Sequence, residues 1–402
     1  MRVLHVNHSD RSGGAAIAAR RLVLAQREAG IDAQMLVVQR SGDEDWVLEA
    51  PMRARITARL ARAFVKRLAG ARAGHDRSAM RTLAAVSTGL GQAIRGIAPD
   101  IVHWHWTGSE GISLQEMAAI ELPAVWTCHD EWAWCGAEHY AADDRFASGY
   151  PSDDFDGACF ARKQRDWADF SPVLIGPSAW IADRAASSML FGHARREVIA
   201  NTLDTHIFAP CDKQAARQAL GLPKDRKIVL FGAQGGAADP RKGFDLLAQA
   251  LATIPPSSAL QLISFGGAEA GEYSIGEFPA REMGKVSRES DLAQLYNAAD
   301  LFVAPSRMDN LPNTMLESLA CGTPCAGFAI GGLPDLVRSE MEGELVPAFD
   351  CAGLGAALLR LAPRDDSQRQ AIRENFLERF APSLIADRHL ALYRQLLGES
   401  SS

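Results

Sequence analysis

The chain has 402 residues, a length that suggests two or three domains with a sizeable core, and two is the economical number. With 47% hydrophobic and 23% charged residues, 34 glycines and 19 prolines, the composition is that of a globular protein and excludes a disordered, collagen-like or coiled-coil chain. The formal net charge of −7 disfavours a general nucleic-acid-binding protein, so no nucleic-acid partner is expected.

The N-terminal residues and the cysteines point to a compartment. The sequence opens on Met-Arg-Val-Leu-His without a secretory signal, and nowhere do 18 apolar residues follow one another. Seven widely spaced cysteines, without a Cys-x-x-Cys pair, suggest reduced thiols. We therefore expect a cytoplasmic protein that does not span a membrane.

The first half alternates predicted strands and helices. Residues 3–7 form a short β-rich run, followed by a glycine loop at 12–16 and a helical stretch that ends before Gly30. Residues 33–38 supply the next buried strand, which predicts a doubly wound parallel sheet. Further strands are predicted at 101–104, 124–127, 173–175 and 197–199.

A second alternating series starts near residue 226, after a linker-like stretch at 201–210 and a helical segment at 213–220. Its predicted strands are 228–231, 260–265, 301–304 and 324–328, and its predicted helices are 244–253, 289–298, 313–320 and 352–361. The fold class is therefore α/β, with two doubly wound Rossmann-like domains over 1–204 and 205–382. Ligands of such sheets bind at the carboxyl ends of the strands, so a cleft between the domains is the expected site.

The strongest candidate site follows the predicted strand 301–304. Asp309 lies in a turn and Glu317 lies eight residues later in a helix, so both carboxylates could hold hydroxyls of one ligand. Pro312 suits the start of that helix, where backbone amides and the helix dipole attract negative charge. The alternative is a helix cap and a surface glutamate.

A second candidate is the cation pair Arg241 and Lys242, which precedes Gly243 at a helix entrance. Two cations beside a glycine-rich loop suit a diphosphate. The loop lacks the Walker pattern, and Gly13-Gly14 lacks the full Rossmann fingerprint. A solvated surface pair is the alternative.

A third candidate is His129, at the end of the predicted strand 124–127. It could exchange a proton or bind a sugar hydroxyl, with Asp130 orienting it, or it could be a structural histidine. A zinc site from His129, Cys135, His139 and Cys159 matches no standard spacing.

Two nearby groups are ambiguous. The aromatic residues Trp132, Trp134 and Tyr140 resemble a sugar-stacking surface but could equally be the core of a loop. An acidic set suggests a solvated loop rather than a metal site, and its members are Asp143, Asp144, Asp153, Asp154 and Asp156.

A basic segment, residues 51–81, contains eight arginines and one lysine against Asp76 alone. Within it an apolar residue recurs every fourth position, at Ile56, Leu60, Phe64 and Leu68. Such a helix can lie in an anionic membrane surface through residues 53–67, or it can pack on the core with a basic outer face.

Taken together and in this order, the motifs resemble retaining glycosyltransferase family four, which has the GT-B fold, over nearly the whole chain. The matching motifs are Gly13-Gly14, Thr127-Cys128-His129, the interdomain segment 201–210, Arg241-Lys242-Gly243, the carboxylates Asp309 and Glu317, the Ala-Cys-Gly-x-Pro motif at 320–324 and the Gly-Gly-x-Pro motif at 331–335. Two departures stand out. Ala233 follows the first strand of the second domain where the family commonly has an arginine, and Asp309 is shorter than the family's glutamate.

The resemblance implies roles for individual residues. Lys242 would bind the donor diphosphate with Arg241 in place of the missing arginine, and Glu317 would bind the ribose. Asp309 and the amides around Asn310, Leu311 and Asn313 would hold the transferred sugar and phosphate. His129 would contact the sugar near the reacting carbon, Gly14 would approach the diphosphate, and Gly284 would flank the base. The final helix, 383–397, would return to the first domain.

The resemblance therefore implies a hexosyltransferase that moves a sugar from a nucleotide-sugar donor to a hydroxyl of a glycan or lipid-linked acceptor with retention of configuration. The expected setting is cell-surface polysaccharide or lipopolysaccharide synthesis at the inner membrane face, without a cofactor or a metal. The alternatives are a sugar-nucleotide epimerase of the same fold and a non-catalytic sugar-binding protein.

Overall fold

The structure is a computed structural model that describes residues 1–71, 80–141, 143–151, 155–232 and 239–399. The predictions that involve Asp153, Asp154 and Ala233 lie outside these residues. The chain divides into two compact units, one formed by Met1–Ala200 with Ile385–Ser402 and the other by Asn201–Leu384. The sequence placed the division at 204/205 and the returning segment at 383.

In the described part of the first unit, a seven-stranded parallel sheet has the order β3-β2-β1-β4-β5-β6-β7. Its strands are β1 (Arg2–Ser9), β2 (Asp32–Gln39), β3 (Val47–Glu49), β4 (Ile101–Trp104), β5 (Ala124–Thr127), β6 (Val173–Gly176) and β7 (Arg196–Val198). The helices are α1 (Gly14–Glu28), α2 (Met52–Ala71), α3 (Leu90–Ile97), α4 (Leu114–Ala118), α5 (Arg145–Ser148), α6 (Phe155–Asp166) and α7 (Ala179–Ser187). The predicted doubly wound sheet is confirmed.

The second unit repeats this design with a sheet of order β10-β11-β9-β8-β12-β13-β14, parallel except for an antiparallel β10–β11 pair. Its strands are β8 (Lys227–Gly232), β9 (Leu260–Phe265), β10 (Gly271–Ile275), β11 (Phe278–Glu282), β12 (Leu301–Ala304), β13 (Cys325–Phe328) and β14 (Gly343–Val346). Its helices are α8 (Lys213–Leu220), α9 (Phe244–Leu251), α10 (Glu289–Ala298), α11 (Asn313–Ala320), α12 (Leu333–Leu336), α13 (Cys351–Arg360) and α14 (Asp366–Phe380).

The last helix, α15 (Pro382–Leu396), packs on the sheet of the first unit from Ile385 onwards. Ile385, Leu392 and Tyr393 join the core on one face of the sheet, with the side chains of β1, β4 and β5 that also contact α1. Central strands covered on both faces are typical of parallel sheets, and β4 is buried at every position.

The amphipathic helix α2 packs on the first unit through small side chains, whereas most of its large apolar side chains are exposed. Ala54, Ala58, Ala61 and Val65 are buried, because small side chains let the helix approach the unit closely. The large apolar residues Ile56, Leu60 and Phe64 are 52%, 66% and 63% exposed. The alternative in which this stripe faces the core is therefore wrong for these three residues. Among the described helices, none combines the length and apolarity needed to cross a bilayer.

Candidate functional site

A cavity of about 280 Å³ opens in the second unit at the carboxyl ends of β8, β9 and β12. Its walls are mainly aromatic and aliphatic, with a few convergent polar groups, which is the usual composition of a small-molecule site. The polar lining includes Lys242, Ser264, Tyr273, Glu282, Ser306, Asp309 and Thr314.

Two residues singled out from the sequence meet in this cavity. The Lys242 Nζ lies 2.7 Å from the Asp309 Oδ2, and Ser306 Oγ donates to the same carboxylate oxygen at 3.2 Å. Both charged side chains are largely sheltered, with 29% of Lys242 and 13% of Asp309 exposed. The cavity therefore holds a cation and a carboxylate that neutralise each other.

The neighbouring cation, Arg241, is engaged by Asp239. Asp239 caps the 3-10 turn Pro240–Lys242, and its carboxylate also accepts from the Arg241 guanidinium at 2.7 Å and 3.2 Å. Half of the Arg241 side chain is exposed. The described structure thus brings Lys242, rather than Arg241, to the cavity lining.

Two glycines, Gly243 and Gly331, let the backbone approach the turns of the site closely. Gly243 has φ +67°, and a Cβ there would collide with the carbonyl of Pro305. Gly331 has φ +53°, and a Cβ there would collide with the carbonyl of Asp309, which accepts from the Gly332 amide at 3.1 Å. The Arg-Lys-Gly and Gly-Gly motifs therefore fix the backbone of Lys242 and Asp309.

The other predicted donor residues lie at the start of α11. Asn310 and Leu311 are 5% exposed, and the Asn313 Oδ1 accepts from Asn201 at 3.4 Å. Glu317 is only 3% exposed, and its Oε2 accepts from the Tyr296 hydroxyl at 2.7 Å. The Glu317 carboxylate is thus held in place by a buried tyrosine.

The cavity also has a polar corner that the sequence pattern does not predict. Ser264 Oγ donates to Glu282 Oε2 at 2.6 Å and lies 2.9 Å from the Tyr273 hydroxyl. Glu282 Oε1 accepts from the amides of Gly267 and Gly284, at 3.2 Å and 2.9 Å. Gly284, predicted to flank the base, lies in the turn directly after this glutamate, with φ +73°. Tyr273 and Glu282 lie on β10 and β11, two strands that the sequence pattern does not predict.

In the first unit, Gly14 begins α1 after Gly13, which has φ +97° at the end of the β1 loop. His129 follows β5, and its Nε2 lies 3.0 Å from the His105 Nδ1. Burial lowers the pKa of His129 to about 4, although the Asp130 carboxylate acts in the opposite direction. His129 is therefore neutral near pH 7.

Asp130 orients a different histidine from the one expected. Its Oδ2 lies 2.6 Å from the His139 Nδ1 and accepts from the Trp106 indole at 2.7 Å. The expectation that Asp130 orients His129 is wrong, because the loop after β5 turns His139 toward the carboxylate.

The described residues separate the other candidates. The histidines whose ligand atoms lie within 4.8 Å of one another are His5, His103 and His105, not the four residues of the zinc hypothesis. Trp132 and Trp134, at 2% and 0% exposure, belong to the core of the loop. In the acidic set, Asp143 and Asp144 are exposed whereas Asp156 is buried. Asp156 lies 3.5 Å from Arg81, so the solvated-loop expectation is wrong for this residue.

Two family models match the chain. The model described as Glycosyltransferase Family 4 matches residues 12–207, and the model described as Glycosyl transferases group 1 matches residues 226–363. The chain is also similar to the D-inositol 3-phosphate glycosyltransferases of Mycobacterium tuberculosis and Mycobacterium bovis, at 33% identity over 222 residues. The match covers 51% of this chain and 45% of each relative, so the chain spans less than half of their length.

Solved structures resemble the whole chain. Sucrose-phosphate synthase from Thermosynechococcus elongatus has a TM-score of 0.71 at 20% identity and covers 100% of both chains. Anabaena HepE, solved with UDP and glucose, has a TM-score of 0.63 at 17% identity, covering 98% of this chain and 99% of its own. The lipopolysaccharide glycosyltransferase WaaG has a TM-score of 0.62 at 15% identity, covering 98% and 100%. At these identities the likeness shows the fold alone, and it confirms the expected GT-B class.

Proposed function

Since the chain belongs to the family 4 glycosyltransferases, we propose that it transfers a sugar from a nucleotide-sugar donor to a hydroxyl of a glycan or lipid-linked acceptor, with retention of configuration. The observation that carries this proposal is the Lys242–Asp309 pair in the cavity of the second unit. A cation and a carboxylate side by side suit a ligand that carries both a diphosphate and sugar hydroxyls.

When the donor binds in this proposal, its diphosphate replaces Asp309 as the ion-pair partner of Lys242. As the bond between the sugar C1 and the diphosphate oxygen breaks, the electron pair remains on that oxygen and negative charge grows there. Lys242 and the amides at the start of α11 stabilise this charge more strongly than they stabilise the intact donor, which lowers the barrier. The acceptor hydroxyl attacks C1 from the face that the diphosphate leaves, and a diphosphate oxygen takes its proton. These steps draw on side chains and amides of the chain and include no metal.

Asp309, once released from Lys242, accepts hydrogen bonds from hydroxyls of the transferred sugar. Glu317 binds the ribose, and the turn at Gly284 flanks the base. Arg241 supplies a second cation to the diphosphate only when its guanidinium breaks the ion pair with Asp239. HepE, solved with UDP and glucose, supports a nucleotide sugar as the ligand class.

The exposed stripe on α2 supports an acceptor at an anionic membrane surface. Ile56, Leu60 and Phe64 project from the helix, and the exposed cations Arg59, Arg62, Lys66 and Arg67 flank them. Apolar side chains that enter the acyl boundary beside cations that meet lipid phosphates give interfacial binding. We place the enzyme peripherally at the inner membrane face, in cell-surface glycan synthesis.

Thermal-shift screening against UDP, GDP, ADP and their sugars tests the donor site, since a ligand that binds only the folded chain raises its stability. We expect one nucleotide series to stabilise the wild type and Lys242→Ala to lose that stabilisation. Glu317→Gln is the better second variant, because Glu317→Ala would remove an acceptor from the buried Tyr296 hydroxyl. Arg288→Ala, at an exposed cation of the same unit, serves as the control.

Product analysis separates the rival activities. Transfer requires the acceptor, whereas an epimerase releases an altered nucleotide sugar without one. Binding of a nucleotide sugar without turnover, with or without acceptor glycans, would indicate a sugar-binding protein. A stabilisation that persists in both Lys242→Ala and Glu317→Gln would place the ligand elsewhere and contradict the proposal.

A further inference from the structure

A row of histidines crosses one face of the sheet in the first unit. Side chains on a strand alternate between the two faces, so His5 continues the face of Val3, and His103 and His105 continue that of Ile101. His5 is paired with His103 in the β1–β4 register. On β5 the same alternation runs through Thr127 to His129.

Hydrogen bonds link Gln26, His5, His105 and His129 in one chain. The His129 Nε2 lies 3.0 Å from the His105 Nδ1, and the His105 Nε2 lies 2.9 Å from the His5 Nδ1. The His5 Nε2 lies 2.9 Å from the Gln26 Oε1. His5, His105 and Gln26 are at most 2% exposed, so the chain is sheltered from water up to His129.

The direction of the chain follows from Gln26. A carboxamide oxygen only accepts, so the His5 Nε2 must carry a proton. Burial lowers the pKa of His5 to about 3 and that of His105 well below its usual value, so each ring is neutral and carries a single proton. The His5 Nδ1 is then an acceptor, the His105 Nε2 donates to it, and the His105 Nδ1 accepts in turn from the His129 Nε2.

The Gln26 amide lies with its oxygen toward His5 and its nitrogen toward Tyr393, where a second branch begins. The Gln26 Nε2 donates to the Tyr393 hydroxyl at 2.9 Å, and that hydroxyl donates to the His103 Nδ1 at 2.6 Å. The His103 Nε2 then donates to Thr127 Oγ1 at 2.7 Å. Rotating the amide by 180° would reverse both branches, so this single side chain sets the direction of every bond in the row.

A metal ion is the competing use of this cluster, since His5, His103 and His105 have ligand atoms within 4.8 Å of one another. An ion would require lone pairs from nitrogens that already share protons within the chain. The group includes no carboxylate among the described residues, so a buried dication would lack charge compensation.

We propose that Gln26, acting through His5 and His105, is a positioning residue that fixes the tautomer of His129, with the proton on Nε2 and the lone pair on Nδ1. His129 would then act toward a sugar or acceptor hydroxyl as a hydrogen-bond acceptor through Nδ1. That role rests on the proposed function, whereas the tautomer itself does not.

NMR of the full chain labelled with ¹⁵N-histidine tests the tautomer directly, because protonated and unprotonated ring nitrogens differ widely in ¹⁵N shift. His129→Gln assigns the signal. At pH 7.5 we expect the wild-type His129 to have a protonated Nε2 and an unprotonated Nδ1. The opposite tautomer or an imidazolium would overturn the proposal, and so would stoichiometric Zn²⁺ shifting the His5 and His105 signals.

Gln26→Leu removes the amide, and we expect a mixed His129 tautomer. His389→Leu is the matched control: this buried histidine packs beside His103, and its Nδ1 forms a hydrogen bond with the Ile385 carbonyl, outside the chain. It should leave the His129 signal unchanged. A pure Nε2–H tautomer in Gln26→Leu would overturn the role of Gln26, and if that variant does not fold, the wild-type spectrum still decides the tautomer.

Kinetics with the preferred donor separate this inference from the proposed function. In Gln26→Leu we expect kcat to fall by about twofold for an equal tautomer mixture, with an unchanged KM for the donor. The predicted tautomer without any transfer activity would contradict the proposed function and leave the positioning role of Gln26 intact. Unchanged kcat alongside a mixed tautomer would contradict the role of Nδ1.

Discussion

Mild acidification should unfold the first unit selectively, because its buried histidines resist protonation. Burial lowers the pKa of six of them, to about 3 or 4 where a value is resolved and well below the usual range in the other two. They are His5, His8, His103, His105, His129 and His389. The unfolded chain binds protons near pH 6.5 and the folded chain does not. The contribution of these histidines to the free energy of unfolding is therefore fully present above pH 6.5 and is lost as the pH falls toward 4.

The loss is large compared with the stability of a domain. At pH 5.5, one unit below the unfolded pKa, each neutral histidine costs about 1.4 kcal/mol, and six cost about 8 kcal/mol. Typical domains have a free energy of unfolding of about 5–15 kcal/mol. Burial raises the pKa of Glu110, Glu131 and Glu138, so the folded chain gains protons there and offsets part of the loss.

Tryptophan fluorescence isolates this unit, since all eight tryptophans lie between residues 46 and 180. Urea unfolding followed at pH 7.5, 6.5 and 5.5 should give a free energy of unfolding that falls steeply below pH 6.5. His389→Gln removes one titrating group, so its loss between pH 7.5 and 5.5 should be smaller by about 1.4 kcal/mol. Equal free energies at pH 7.5 and 5.5 would refute the reasoning.

Three further predictions concern single contacts. Lys163→Met should lower the free energy of unfolding of the first unit by about 3 kcal/mol in urea titrations, because the buried Nζ donates to the carbonyls of Cys135 and Gly136 at 2.9 Å; an unchanged midpoint would contradict this. Gly331→Ala should weaken nucleotide binding in calorimetry, whereas Gly276→Ala, with φ +58° and open space around its Cβ, should not; equal effects would rule out the contact with Asp309. Leu60→Glu should reduce sedimentation with anionic vesicles, whereas a charge at the 51% exposed Met189 should not; wild-type chain that stays in solution would remove the membrane proposal.

Apolar periodicity predicts the bounds of several helices, and in one of them the residues at both ends agree with it. The helices at 213–220, 289–298 and 313–320 have the bounds that the structure gives, and Asp212 and Gly221 bracket the first of them. The β10–β11 hairpin was missed because β10 is a mostly exposed edge strand with no apolar run. The polar corner of the cavity was missed with it.

The candidate site was predictable where one motif follows one strand. The turns at Lys242 and Asp309 meet because β8 and β12 are adjacent, which a doubly wound order implies. The partner of Asp130 was not predictable, because loop geometry rather than spacing brings His139 to it. The histidine row did carry a signal, since every second residue of β1, β4 and β5 shares a face. Its hydrogen bonds also depend on Gln26 of α1 and Tyr393 of α15. The strand pattern does not predict how these two helices pack on the sheet.

The Lys242–Asp309 pair also affects which anions can bind at this lysine. An anion can pair with Lys242 only by displacing Asp309, its counter-ion within the protein. Under the proposed function, a sugar diphosphate replaces both interactions, because its diphosphate pairs with Lys242 while its sugar hydroxyls donate to Asp309. The pair would therefore favour a sugar nucleotide over an anion that binds only the lysine.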